Sequence, residues 1–136
     1  MLDKVKLISL PKVEDSRGNL SVIEENINVP FAIKRAYWIY DVPGGQKRFG
    51  HAFKKQHEFI VALSGSFDVI LNDGTEEKVY PLNRSYYGIY IPNLIWRRIE
   101  NFSTNSVAMV LSSSRYDESD YMEDYCEYVE YLKNQV

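Results

Sequence analysis

Cysteine and histidine are scarce in this chain: one Cys and two His among 136 residues. The lone Cys126 excludes an internal disulfide and any metal site built on several thiolates, and it reads as a buried small apolar residue. No apolar run approaches the roughly 18 residues that span a bilayer, so no transmembrane helix is expected. Met1 to Leu10 carries Asp3, Lys4 and Lys6 among its apolar residues and lacks a signal-peptide core, which points to the cytoplasm. The net charge of −3 gives no reason to expect nucleic acid as a partner. There is no internal repeat and no low-complexity linker.

What is present is ordinary globular composition, 45% apolar and 26% charged, at a length suited to one hydrophobic core. Residues 1–136 are therefore expected to form a single domain. The charge is unevenly placed. Residues 116–136 hold seven acids and one lysine, whereas residues 34–55 hold Lys34, Arg35, Lys47, Arg48, Lys54 and Lys55 against Asp41 alone. Such a local basic excess is either a solvated face or a site for a small anion such as a diphosphate.

Strand chemistry dominates up to residue 113. Val5–Leu10, Leu20–Glu25, Ala32–Val42, Glu58–Ser64, Ser66–Asn72, Glu77–Tyr80, Gly88–Ile91, Ile95–Glu100 and Asn105–Ser112 are short and rich in β-branched and aromatic residues. Turn residues separate them, as in Asp15-Ser16-Arg17-Gly18, Ser64-Gly65-Ser66 and Asn72-Asp73-Gly74. Many short strands without intervening helices predict an all-β antiparallel barrel or sandwich. In the tail, Tyr121, Tyr125, Tyr128 and Leu132 recur at helical spacing, which predicts a helix over about 118–133 with its tyrosine stripe on the barrel.

Alternation along strands brings out candidate functional residues. Ile33, Arg35, Tyr37 and Ile39 share one face of their strand, and His51, Phe53 and Lys55 share another. If the first face points inward, Arg35 enters an apolar cavity with a phenol beside it. A buried guanidinium requires an anionic partner, either a protein carboxylate or a ligand.

The run His51-Ala52-Phe53-Lys54-Lys55-Gln56-His57-Glu58 resembles the first motif of the cupin superfamily, where His-x-His…Glu binds a metal. Phe53 stands at the second histidine position and offers no lone pair, and 88–101 contains no histidine. His51, His57 and Glu58 alone are a poor donor set for Zn²⁺ or Fe²⁺, so no metal is expected.

Further segments carry a closer resemblance: Asp15-Ser16-Arg17-Gly18-Asn19-Leu20, Arg35-Ala36-Tyr37-Trp38-Ile39-Tyr40-Asp41-Val42-Pro43, Arg48-Phe49-Gly50-His51-Ala52, Tyr90-Ile91-Pro92, and Arg115-Tyr116-Asp117-Glu118-Ser119-Asp120-Tyr121. Together with Trp96, and in this order, they resemble the thymidine-diphosphate-sugar 3,4-ketoisomerases over about residues 5–130. The resemblance implies a cupin jelly-roll barrel with a C-terminal helix. It also implies cofactor-free isomerisation of a dTDP-linked 4-keto-6-deoxyhexose to the 3-keto sugar, on the way to 3-amino-3,6-dideoxy sugars of surface polysaccharide.

The roles implied by the resemblance are His51 as acid/base and Tyr37 as proton relay or oxyanion donor. Arg35 and Arg48 would hold the diphosphate, Arg17 would border sugar or phosphate, and Trp96 would pack on sugar or base. Family members resemble homodimers that exchange N-terminal strands. Two other readings stay open: a 3,5-epimerase-like enzyme, whose family resembles this chain in the Asp15-Ser16-Arg17-Gly18 and Arg48-Phe49-Gly50-His51 pieces, or a nucleotide-sugar-binding cupin without catalysis, which Phe53 allows.

Overall fold

The computed structural model describes residues 1–46 and 48–135, with the backbone alone for Arg48 and Phe49. A short 3-10 turn at Leu2–Lys4 precedes β1 (Lys6–Ser9), β2 (Lys12–Asp15), β3 (Gly18–Ser21), β4 (Arg35–Ile39) and β5 (Arg48–Phe53). There follow β6 (Glu58–Ser64), β7 (Phe67–Asn72), β8 (Glu77–Leu82), β9 (Tyr87–Ile91), β10 (Trp96–Glu100) and β11 (Val107–Ser112). A second 3-10 turn, Glu118–Asp120, leads to β12 (Tyr121–Met122) and helix α1 (Tyr125–Lys133).

Two five-stranded sheets, ordered β1-β9-β6-β11-β4 and β12-β5-β10-β7-β8, are antiparallel throughout. Ile60, Ile89 and Val110 of the first meet Val69, Leu71 and Ile99 of the second in one apolar core. This is the antiparallel barrel or sandwich that the strand pattern predicts, in the jelly-roll form that the resemblance implies.

The two faces of the first sheet are both covered. Its outer face buries Phe59, Val61 and Leu111 beneath Val29 and Phe31 of the connection after β3. Such burial on both sides explains why Glu58–Ala62 reads as a nearly continuous apolar run instead of an alternating one. The β2–β3 hairpin, by contrast, pairs only with itself, and all of its strand residues are exposed.

The expected helix over about 118–133 begins later. Asp117 caps a 3-10 turn through Ser119 N–H, and Tyr121 and Met122 then pair with Phe53 and Ala52. Asp124, whose side chain accepts from Glu127 N–H at 3.0 Å, caps the true helix. Tyr121 thereby leaves the tyrosine stripe and enters the barrel side of β12. Tyr128 keeps its predicted place, fully buried, with its hydroxyl donating to the Leu94 carbonyl at 2.9 Å. Of the expected face of His51, Phe53 and Lys55, the first two belong to β5 and Lys55 lies beyond its end.

Gly50 and Ala52 face away from the barrel, toward Trp96, Met122 and Tyr128 of the cluster under α1. A methyl group at Gly50 would overlap the Trp96 indole. Gly50→Ala is therefore expected to cost about 1–3 kcal/mol by overpacking, read as a lowered urea midpoint. An unchanged midpoint would show that the indole yields freely.

Candidate active site

Side chains from β4, β5, β6, β10 and the segment at 112–121 gather in one cluster between the sheets, the cup of this barrel. Antiparallel pairing sets Arg97 of β10 directly opposite His51 of β5, and residues so paired share a face of the sheet. Arg97 reaches across to the other sheet: its Nε donates to Glu58 Oε1 at 2.7 Å and its Nη2 to Glu58 Oε2 at 3.1 Å. That face is therefore the inner one, and His51 lies on it. The His51 ring stands edge-on to Phe53 at 5.0 Å and tilted to Tyr121 at 5.3 Å, centroid to centroid.

Glu58 and Arg97 are 1% and 2% exposed. Charges this deep persist only when paired, and the two-point fork satisfies both. Tyr37 completes the cluster, accepting from Arg97 Nη2 at 2.7 Å and donating to Glu58 Oε2 at 3.0 Å. Burial pushes its hydroxyl well above the ordinary phenol range; Arg97 opposes that shift and Glu58 reinforces it. Tyr37 accordingly holds its proton as a neutral donor. Burial works against the charge of Arg97, but Glu58 and Tyr37 outweigh it and raise its pKa.

Arg35 lies in the same cup under different terms. Its Nη2 donates to Gln56 Oε1 at 3.2 Å and to Tyr121 Oη at 3.3 Å, both neutral. Its guanidinium carbon lies 5.3 Å from the Tyr37 ring centroid and 5.5 Å from that of Tyr116. Among the described residues, no carboxylate stands within ion-pair distance of it. The protein carboxylate that an inward arginine requires has gone to Arg97 instead. A cation ringed by phenols and an amide is suited to an anionic ligand.

Of the residues expected at the site, His51, Tyr37 and Arg35 come together. Arg48 contributes backbone to β5, and its side chain, like Lys47, lies outside the described residues. Trp96 corrects the expectation: it precedes inward Arg97 by one position, so it faces outward. It packs against Tyr125 and Tyr128 of α1 at 5.3 and 5.5 Å and is 8% exposed. Arg17 stands apart within one chain. It sits in the β2–β3 turn with its side chain 88% exposed and binds Asp15 at 2.7 Å, away from the groups gathered in the cup.

His57 points to the opposite face of the first sheet from Glu58. Its Nδ1 lies 2.6 Å from Tyr90 Oη, and burial lowers its pKa. Among the described residues, no three His, Cys, Asp or Glu side chains gather where a cation could sit.

The sequence motifs offer Glu58 only as a weak metal donor and do not mark Arg97 or Gln56 as site residues. A signal existed: Glu58 shares strand parity with Ile60 and Ala62, and Arg97 with Ile95 and Ile99, so both charges fall on apolar faces. Only tertiary structure shows that these faces meet.

Comparison with known proteins identifies the lineage. The family described as FdtA: WxcM-like, C-terminal matches residues 3–133. The TDP-4-oxo-6-deoxy-alpha-D-glucose-3,4-oxoisomerase of Aneurinibacillus thermoaerophilus is 42% identical over 127 residues, 93% of this chain and 91% of that protein. The chain belongs to this sugar 3,4-ketoisomerase family. The crystal structure of QdtA, a sugar 3,4-ketoisomerase from Thermoanaerobacterium thermosaccharolyticum in complex with TDP, overlays with a TM-score of 0.95. That match has 38% identity and covers 99% of this chain and 98% of QdtA. A dTDP-4-dehydrorhamnose 3,5-epimerase from Bacillus anthracis has a TM-score of 0.78 at 15% identity, covering 88% of this chain and 78% of its own. That likeness shows a shared fold alone, and the family assignment favours the isomerase over the epimerase.

Removing one partner of the Glu58–Arg97 pair should be severe. Glu58→Ala is expected to destabilise the fold by about 3–5 kcal/mol, because Arg97 is left charged and unpaired. Chemical denaturation measures this, and a loss under about 1 kcal/mol would mean that water reaches the pair.

Proposed function

We propose that this chain isomerises TDP-4-keto-6-deoxyglucose to its 3-keto isomer, with His51 as the acid/base. The carrying observation is the cup itself: an imidazole opposite a neutralised arginine, a phenol that keeps its proton, and a second arginine with no carboxylate beside it among the described residues. Among the relatives, a histidine-to-asparagine mutant of QdtA forms a complex with TDP-4-keto-6-deoxyglucose.

The chemistry suits these groups. The C4 ketone acidifies the C3 hydrogen, so a base near neutrality can remove that proton and leave a 3,4-enediolate. The O3 hydroxyl gives up its proton as O4 gains one, and a proton delivered to C4 completes the 3-ketone. Substrate and product are isomers, so no net oxidant or reductant is needed. In this scheme His51 takes the proton from C3. Tyr37, a held phenol beside the Arg97 charge, donates to the enediolate oxygens in place of its bond to Glu58. Arg35, with Arg48 from the same basic stretch, meets the diphosphate. Phe53, edge-on to His51, keeps water from the imidazole.

The remaining features fit a cytoplasmic homodimer with one such domain per chain. Val13 and Leu20 face each other across the hairpin at 57% and 59% exposure, and an isolated two-stranded hairpin is marginal in water. A second copy covering this hairpin would supply the missing surface and bring Arg17 against a neighbouring subunit. β1, at the edge of its sheet, is suited to the N-terminal exchange.

Incubation with TDP-4-keto-6-deoxyglucose in deuterated water is expected to place deuterium at C3 or C4 and none at C5. His51→Asn should abolish that exchange while keeping dTDP affinity. Continued turnover by this variant would remove His51 from the mechanism, and label at C5 would favour the epimerase. By sedimentation, the wild type should run as a dimer and Val13→Asp/Leu20→Asp as a monomer. A dimeric double variant would exclude the hairpin from the interface.

A further inference from the structure

Gln56 stands between Arg35 and the Glu58–Arg97 cluster and offers each a different end of its amide. Its Oε1 accepts from Arg35 Nη2 at 3.2 Å and from Ser114 Oγ at 3.0 Å. Its Nε2 donates to Glu58 Oε2 at 3.3 Å and to Ser112 Oγ at 3.2 Å. Reversing the amide would set NH₂ against a guanidinium and a carbonyl against a carboxylate, so the network admits one orientation.

Asp120 secures this arrangement from behind. Its Oδ2 accepts from Gln56 N–H at 3.1 Å and its Oδ1 from Lys55 N–H at 2.8 Å, while its carbonyl accepts from Lys54 N–H at 3.0 Å. The next residue, Tyr121, supplies the second acceptor for Arg35. Both acceptors of Arg35 are thus anchored through one buried carboxylate.

We propose that Gln56 is a positioning residue that holds Arg35 in place without neutralising it. A guanidinium free to reach a carboxylate would pair with it in two-point geometry. Gln56 interposes a neutral carbonyl on the Arg35 side and uses its own donors to help saturate Glu58. The cup thereby contains two arginines in different states: Arg97 discharged by Glu58, and Arg35 left with its full charge for the substrate's diphosphate. A glutamate of the same length at position 56 would discharge Arg35 as well. The inference rests on the assignment of Arg35 to the diphosphate under the proposed function.

The test is a double-mutant cycle on dTDP binding by calorimetry, using wild type, Arg35→Ala, Gln56→Glu and the double variant. Each single variant is expected to raise Kd about tenfold, the scale of one charge-assisted hydrogen bond. Gln56→Glu placed on Arg35→Ala should add less than about twofold, because the group it acts through is gone. In turnover, Gln56→Glu should raise KM more than it lowers kcat. An equal loss from Gln56→Glu in both backgrounds, or a fall in kcat with KM unchanged, would overturn the positioning role. An unchanged Kd in Arg35→Ala would instead overturn the diphosphate assignment beneath it. If Gln56→Glu does not fold, Gln56→Leu replaces it in the cycle. Its expected loss of several-fold should likewise vanish without Arg35, and persistence would refute the proposal.

Discussion

The rest of the cup depends on the pairing of Glu58 with Arg97. Each is nearly sealed from solvent, and neither charge would persist there alone. The pair draws β6 of one sheet toward β10 of the other at the point where the apolar core gives way to polar side chains. It also fixes the hydroxyl of Tyr37 from two sides and keeps its proton in place. Because Glu58 is fully engaged, the second inward arginine has no such partner among the described residues. A structural requirement, that buried charge be matched, so leaves a cation for a ligand.

The architecture was largely legible in the sequence. Short β-branched runs punctuated by glycine and asparagine turns predicted an antiparallel barrel, and parity along Ile33–Ile39 placed Arg35 and Tyr37 together. What failed was local periodicity overridden by long-range pairing. Tyr121 fits a helical stripe, yet Tyr121 and Met122 join β5, and Asp120 satisfies backbone donors at Lys55 and Gln56. The helix therefore waits for the cap at Asp124.

The site was legible in part for a similar reason. His51, Tyr37 and Arg35 lie in recognisable motifs. Gln56 lies in the connection between β5 and β6, whereas Glu58 and Arg97 sit in strands that look like plain core. Parity assigns each to an inner face, but no pattern within one strand tells which strand it will meet. Trp96 illustrates the converse. An aromatic next to a functional residue on a strand belongs to the opposite face, and here that face rests on the helix.

That resting contact has a consequence for the chemistry. The strand carrying the imidazole is backed by Gly50 and Ala52, whose small size lets the C-terminal helix lie close against it through Trp96 and Tyr128. The helix acts as a splint behind His51, setting the height of its strand from the outside. Under the role proposed for His51, sequence drift along that distant surface retunes proton transfer without altering any group within the cup.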